Sequence, residues 1–197
     1  MTEQTIQHLF RDSEVMRTAE LEAAGLYRVK IAQAVNAGFL EKVGRGLYQR
    51  PESAISQNHS IVLAAKKSPK AVMCLLTALR LHNLGTQMPH EVWLSLPKSN
   101  WTPNYEHIPV RIVWMSGKAL YWGIETHNIE GVQVKIYSAA KTIADCFKFR
   151  NQIGLDVVIE ALKQVREEKR CSIDQIMEAA RVCRVGKVIT PYLEAMV

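Results

Sequence analysis

The first 26 residues combine apolar positions at helical spacing with polar residues that begin or end helices. Ile6 and Phe10 are four residues apart and predict a first helix that ends near Asp12. Thr18 offers a hydroxyl as the N-cap of a short helix over residues 19–24. The chain is therefore expected to begin with two helices.

A longer helix is predicted between two glycines. Gly25 stands where a residue with positive φ closes the short helix. The longer helix is expected to run from Tyr27 to Ala37 and to end at Gly38. A short helix, a glycine turn and a second helix follow one another as in a helix-turn-helix.

The apolar residues of the longer helix indicate which side faces the core. Ile31 and Val35 are one turn apart, and together with Ala32 they are expected to point inward. The outward positions are then Lys30, Gln33, Ala34 and Ala37.

Two β-prone runs come next, over residues 39–43 and 47–50. Gly44, Arg45 and Gly46 separate them, and two glycines around one residue suit a tight hairpin tip that needs positive φ. Helices followed by a hairpin indicate a winged helix-turn-helix, in which the hairpin is the wing.

The charge of the segment changes sign within fifty residues. Residues 1–26 carry two basic and five acidic side chains, a net charge of −3. Residues 27–50 carry five basic and one acidic side chain, a net charge of +4. A small module with one basic face is typical of proteins that bind nucleic acid.

The second helix of such a motif enters the major groove, and the wing reaches the backbone or the minor groove. Tyr27 and Arg28 lie at the amino end of this helix. Arg28 and Lys30 suit guanine or phosphate, and Gln33 suits adenine. Arg45 at the hairpin tip suits phosphate or a minor groove. The segment is predicted to bind double-stranded DNA; the alternative is a protein-docking module whose basic charge is incidental.

The rest of the chain mixes the two periodicities. A helix is expected to stop near Ser68, and a second one covers residues 71–84. β-prone runs follow at residues 91–96, 110–114, 124–128 and 132–137, the last two joined by a turn at 130–131. Later helices are predicted from apolar stripes after residue 138, over 157–165 and 188–196, and from a capping box at 172–175.

The fold class expected from these patterns is α+β. A winged helix-turn-helix domain over residues 1–52 precedes a mixed domain over residues 53–197, with a small sheet and several helices.

Composition limits the class of protein. Hydrophobic residues are 48% and charged residues 22% of the 197, as in globular domains, and the net charge is +6. No apolar run approaches the roughly 18–20 residues that cross a bilayer. The four cysteines are widely spaced and are expected to be reduced and mostly buried. These features predict a cytoplasmic protein without membrane attachment.

Motifs of enzymes are missing from the sequence. It contains no Gly-rich phosphate loop, zinc-protease motif or nucleophile elbow, and its histidines lack ligand spacing. No catalytic residue, metal or cofactor is predicted. The enzymatic alternative is a nuclease or a phosphotransfer accessory, and metal-dependent turnover abolished by Asp145→Ala would favour it. Thr142 and Asp145 suit a local hydrogen bond or a partner contact. The tryptophans suit sheet packing or base stacking, and they are Trp93, Trp101, Trp114 and Trp122.

Three stretches in order carry a family resemblance. The first includes Arg17-Thr-Ala-Glu-Leu-Glu-Ala-Ala-Gly-Leu26, Ala37-Gly-Phe-Leu40 and Gly44-Arg-Gly-Leu-Tyr48. The second includes residues 74–84 and 89–97, and the third residues 131–138 and 141–146. Together they resemble the AbiEi antitoxins of type IV toxin–antitoxin (abortive infection) systems.

The resemblance implies a repressor with two roles. The winged helix of such proteins binds inverted repeats in their own promoter, and the carboxy-terminal domain counters a nucleotidyltransferase toxin. By this resemblance the DNA-binding positions are Thr18, Tyr27, Arg28, Lys30, Gln33 and Arg45, with Thr18 a phosphate contact. Ala34 and Ala37 stand where many relatives carry basic residues. The chain is expected to be a monomer or a weak homodimer.

Overall fold

The computed structural model describes residues 3–51, 56–98, 104–105 and 108–196. The chain divides into two compact units. Unit 1 comprises Met1–Lys70, Pro103–Pro109 and His127–Val134, and unit 2 comprises Ala71–Thr102, Val110–Thr126 and Lys135–Val197. The division into domains at residues 52 and 53 stays a prediction.

The described residues between Glu3 and Lys67 form a winged helix-turn-helix with one additional helix, within the expected α+β class. Three antiparallel strands form its sheet, in the order β1-β3-β2. The elements are α1 (Glu3–Leu9), β1 (Val15–Arg17), α2 (Thr18–Ala23), α3 (Arg28–Asn36), β2 (Glu41–Gly44), β3 (Leu47–Gln49) and α4 (His59–Lys67).

The strand β1 is absent from the sequence prediction. It has three residues, too few to show an alternating pattern, and it pairs with β3 from Val15 opposite Gln49 to Arg17 opposite Leu47. Contacts distant in sequence therefore create this strand, and it holds the start of α2 beside the wing.

The core of unit 1 corrects the predicted phase of α3. Ala34 is fully buried together with Ile31, whereas Ala32 is exposed and Val35 is half-buried. The prediction that Ala32 points inward and Ala34 outward is therefore wrong. Alanine is apolar enough for either side, so the sequence pattern around Ile31 did not fix the rotation of the helix. The buried members of this core are Ile6, Phe10, Leu21, Leu26, Ile31, Ala34 and Leu40.

The remaining elements form a five-stranded mixed sheet with helices. Its strand order is β6-β5-β4-β8-β7, with β4 antiparallel to β5 and parallel to β8, and with β5 parallel to β6. The strands are β4 (Val72–Met73), β5 (Val92–Pro97), β6 (Val110–Met115), β7 (Ile124–Ile129) and β8 (Val132–Tyr137). The helices are α5 (Leu75–Leu81), α6 (Lys118–Tyr121), α7 (Ala139–Lys148), α8 (Arg150–Ile153), α9 (Leu155–Glu167), α10 (Ile173–Cys183) and α11 (Gly186–Glu194).

The predicted helix over residues 71–84 is wrong at its start. Val72 and Met73 form β4, which pairs with β5 on one side and β8 on the other, and α5 begins at Leu75. Two apolar residues next to an apolar helix are too few to show the alternating pattern of a strand. Only their pairing with β5 and β8 identifies them as a strand. The predicted turn at residues 130–131 is confirmed, since Glu130 and Gly131 both have positive φ (52° and 75°).

Helix α7 lies in the core of unit 2 and buries two charged side chains. Lys141 and Asp145 are one turn apart, form an ion pair and are 0% and 1% exposed. The Lys141 ammonium also lies 4.1 Å from the centre of the Tyr137 ring, and the Cys183 thiol donates to Asp145 Oδ1 at 3.2 Å. Burial raises the pKa of Asp145, although Lys141 opposes the shift. The partner of Asp145 is therefore Lys141.

Candidate nucleic-acid interface

A glycine turn sets the direction in which α3 leaves α2. Gly25 has φ of +87°, and the Leu26 N–H donates to the Leu21 carbonyl at 2.8 Å. Leu21 and Leu26 are both buried, so an apolar contact accompanies this helix end. Helix α3 then begins at Arg28 with Tyr27 as its N-cap, one residue after the predicted start.

The outward face of α3 is opposite Ile31 and Ala34. A helix advances about 100° per residue, which places Val29, Gln33 and Asn36 at the centre of that face. All three are exposed, and Val29 is 71% exposed.

The flanks of α3 carry its cations. Arg28 lies on the flank towards the wing, where it lines a cleft with wing residues, and Lys30 lies on the other flank. Tyr27, 66% exposed, lies at the amino end of α3.

The wing ends in a two-residue turn formed by Arg45 and Gly46, between the paired residues Gly44 and Leu47. Gly46 has φ of +73°, and a Cβ there would lie 3.2 Å from Thr18 Oγ1. The Thr18 N–H donates to the Gly46 carbonyl at 3.0 Å. The turn therefore presents the exposed Arg45 beside the start of α2.

The prediction that Thr18 is an N-cap is wrong. Thr18 is the first residue of α2, and the N-cap of this helix is Arg17. The Thr18 hydroxyl donates to the Gly46 carbonyl at 3.4 Å. The Arg17 N–H donates instead to the Glu20 carboxylate at 2.7 Å, so the cap comes from within the helix. Thr18 serves to hold the wing turn.

Helix α4 supports the wing from outside the predicted domain of residues 1–52. It packs against β1 and β3, and Lys67 Nζ donates to the Arg45 carbonyl at 3.3 Å. The ammonium of Lys67, a half-buried residue, therefore lies close to the wing tip.

A cleft of about 570 Å³ separates α3 from the wing. Three cations line it: Arg28 from α3, Lys42 from β2 and Arg45 from the turn. Thr18 lines it too, so three of the six predicted DNA-binding residues meet here. The other three, Tyr27, Lys30 and Gln33, do not line the cleft and are exposed on α3 or at its start.

Two acidic side chains near this surface, Glu20 and Glu22, are paired with cations. Lys66 Nζ lies 2.8 Å from Glu20, and the Lys66 side chain is only 11% exposed. Burial would raise the pKa of Glu20, but the bonds from the Arg17 backbone and from Lys66 hold that pKa below its ordinary value. Glu22 forms a second ion pair, with Arg28 at 3.0 Å.

Several residues of this surface were not predicted from the sequence. Val29 and Asn36 were missed because the helix was rotated in the prediction, and Lys42 and Lys67 because only the fold brings them to the wing. The positive charge of residues 27–50 was the available signal for Lys42.

The described residues contain no group of three or more His, Cys, Asp or Glu side chains suited to a metal ion. Within the same ranges, no helix is long and apolar enough to span a bilayer.

The tryptophans have different environments. Trp93 is buried, Trp122 packs against the core of unit 2, and Trp114 is exposed. Trp101 lies outside the described residues.

A family model agrees with the amino-terminal part of the resemblance found in the sequence. Residues 4–51 match the family model described as transcriptional regulator, AbiEi antitoxin, which confirms the resemblance for this segment. The crystal structure of RV2827C protein from Mycobacterium tuberculosis is similar in fold, with a TM-score of 0.56 and 15% sequence identity. The similarity covers 92% of this chain and 75% of that one. A comparison with curated proteins finds no match.

Proposed function

We propose that this chain, whose amino-terminal segment matches the AbiEi transcriptional regulators, is a DNA-binding repressor and antitoxin of a type IV toxin–antitoxin system. It would act in the cytoplasm and bind inverted repeats in its own promoter. The observation that carries the proposal is the surface formed by α3 and the wing, on which Arg28, Lys42 and Arg45 line one cleft.

The outward face of α3 suits the major groove. Gln33 and Asn36 carry amides that can bind the edge of an adenine, and the methyl groups of Val29 suit the methyl group of thymine. Arg28 at the amino end of α3 suits guanine. These few contacts would supply the sequence preference.

The cations around the cleft suit phosphates. Arg45 and Lys67 lie at the wing tip. Lys42 is paired with Tyr48, in the next residue pair of the hairpin after Gly44 and Leu47. Phosphate contacts position a protein on the duplex and make its affinity depend on salt. Acidic Glu20 would not oppose this binding strongly, because Lys66 neutralises it.

Inverted repeats require two copies of the winged helix. Two chains would bind the two half-sites, either as a weak homodimer or as monomers that cooperate on DNA. The carboxy-terminal part would supply the activity against a nucleotidyltransferase toxin. Co-expression with an adjacent nucleotidyltransferase gene tests this second role, since growth restored by the full chain supports it and unrelieved toxicity contradicts it.

One observation favours a second candidate, a protein-docking module. Tyr27 and Val29 are both large, apolar and exposed at the start of α3. Such side chains suit a protein partner as well as a base edge. This candidate predicts that no duplex binds in a salt-sensitive way.

A gel-shift experiment separates the two candidates. The full chain is mixed with the duplex upstream of its own gene, as wild type and as Arg28→Ala and Arg45→Ala. We expect each substitution to weaken binding by about 1–3 kcal/mol. The control is Lys163→Ala, an exposed cation on α9 in the other unit, which should leave binding unchanged. Unchanged binding in both arginine variants would contradict the assigned surface.

A further inference from the structure

The ion pair between Glu22 and Arg28 connects the two helices of the helix-turn-helix. Glu22 lies in the last turn of α2, and Arg28 is the first residue of α3. The turn at Gly25 brings them together, and Arg28 Nε donates to Glu22 Oε1 at 3.0 Å. The pair therefore lies at the end of α3 that would approach the bases.

The pair leaves one edge of the guanidinium available. Guanidinium is planar and can present either its Nε side or its two terminal nitrogens to an acceptor. The Nε side is bonded to Glu22, and among the described residues Glu22 is the only partner of Arg28. The two terminal nitrogens remain as a fork, which matches the O6 and N7 acceptors of guanine.

Stability does not explain this pair. The Arg28 side chain is 82% exposed, and the Glu22 side chain is 33% exposed. Ion pairs so open to water contribute little to folding. A carboxylate here also repels phosphate, so it lowers binding that is independent of sequence.

We propose that Glu22 is a specificity-determining positioning residue that holds Arg28 end-on for a guanine in the DNA half-site. The inference rests on the proposed function. Glu22 fixes one rotamer of a long side chain before DNA arrives, which reduces the entropy lost on binding. The Glu22 carboxylate also weakens binding to DNA of other sequences, because it repels phosphate. Glu22 therefore increases the preference for the guanine-containing site in two ways.

The test uses the full chain and a pool of duplexes with a randomised central segment, sequenced after selection. Wild type should enrich guanine at one position of each half-site, and Arg28→Ala should lose that enrichment. Glu22→Ala should reduce the guanine preference at that position about tenfold, while total binding to the pool stays equal or rises. Arg28→Lys keeps the charge without the fork and should show the same loss of preference.

Glu41→Ala is the matched control, because it removes another exposed acid of unit 1 without touching Arg28. It should leave the guanine preference unchanged. A guanine preference that survives Glu22→Ala, or that Glu41→Ala reduces equally, overturns the inference although DNA binding stands. Absence of any binding by wild type would instead contradict the proposed function, and the inference with it.

Discussion

The surface formed by α3 and the wing differs from the core around α7 in how each treats charge. On the surface, Arg28 and Glu22 form a pair that water reaches. In the core, Lys141 and Asp145 form a pair that is almost fully buried beside Tyr137. Both pairs join a cation to a carboxylate at hydrogen-bonding distance, yet their surroundings give them different consequences.

A buried charge contributes to folding, whereas an exposed charge remains available to bind a partner. A buried ion that loses its partner destabilises the fold strongly, whereas an exposed ion that loses its partner is solvated by water. We therefore expect substitutions around α7 to change stability, and substitutions on α3 and the wing to change DNA binding. Four predictions examine that contrast.

The largest effect is expected at the buried pair. Lys141→Met leaves the Asp145 carboxylate buried without a cation, so the free energy of unfolding should fall by about 3–5 kcal/mol. Urea denaturation measures this, with Lys163→Met, an exposed lysine on α9, as the control. A loss below about 1 kcal/mol would contradict this prediction, because it would mean that the buried pair contributes no more to stability than an exposed ion pair does.

The next effect separates two alanines of α3. Ala34→Lys places an ammonium in the core of unit 1 and should lower the free energy of unfolding by about 3 kcal/mol. Ala37→Lys at an exposed position should change stability by less than about 0.5 kcal/mol. Thermal unfolding compares the two variants. Equal stability would show that α3 is rotated differently from the structure.

A third effect concerns the amides at the centre of the outward face. Asn36→Ala or Gln33→Ala should cost about 1–3 kcal/mol of binding on the preferred sequence and much less on a scrambled one. Lys30→Ala should weaken both duplexes alike, because a phosphate contact carries no sequence information. Fluorescence anisotropy with both duplexes measures the ratio. An equal loss on both from Asn36→Ala and Gln33→Ala would remove these residues from base recognition.

The smallest effect depends on pH. The lowered pKa of Glu20 means that its contribution to stability is present at neutral pH and is lost as pH falls below the ordinary value of 4.5. Lys66→Met should therefore lower the stability of unit 1 by about 1 kcal/mol at neutral pH. That deficit should shrink in acid, where protonated Glu20 no longer pairs. Urea titrations at neutral and acidic pH measure it, and a deficit that is equal at both would exclude Glu20 as the cause.

Much of the local structure could be predicted because it depends on neighbouring residues. Gly25 and Gly38 bound α3, Ser172 begins α10 with its capping box, and Glu130 with Gly131 turns the hairpin between β7 and β8. In each case the signal is a residue whose backbone conformation or side-chain bond is local. Such features need no knowledge of the tertiary fold.

The features that were missed depend on residues distant in sequence. The strands β1 and β4 have three and two residues and exist through pairing. Lys67 reaches the Arg45 carbonyl only because α4 packs beside the wing. The rotation of α3 was missed because Ala32 and Ala34 are chemically alike, and packing alone decides which of them is buried.

The affinity of the full chain for its upstream duplex, measured as a function of salt concentration, tests whether α3 and the wing bind DNA. If Lys30, Lys42, Arg45 and Lys67 each neutralise one phosphate, the logarithm of the binding constant should fall with the logarithm of the salt concentration with a slope of about −3.6 per bound chain. The slope should become shallower by about 1 in Arg45→Ala. Binding that is insensitive to salt, or a slope that Arg45→Ala leaves unchanged, would contradict the claim that α3 and the wing form the DNA-binding surface.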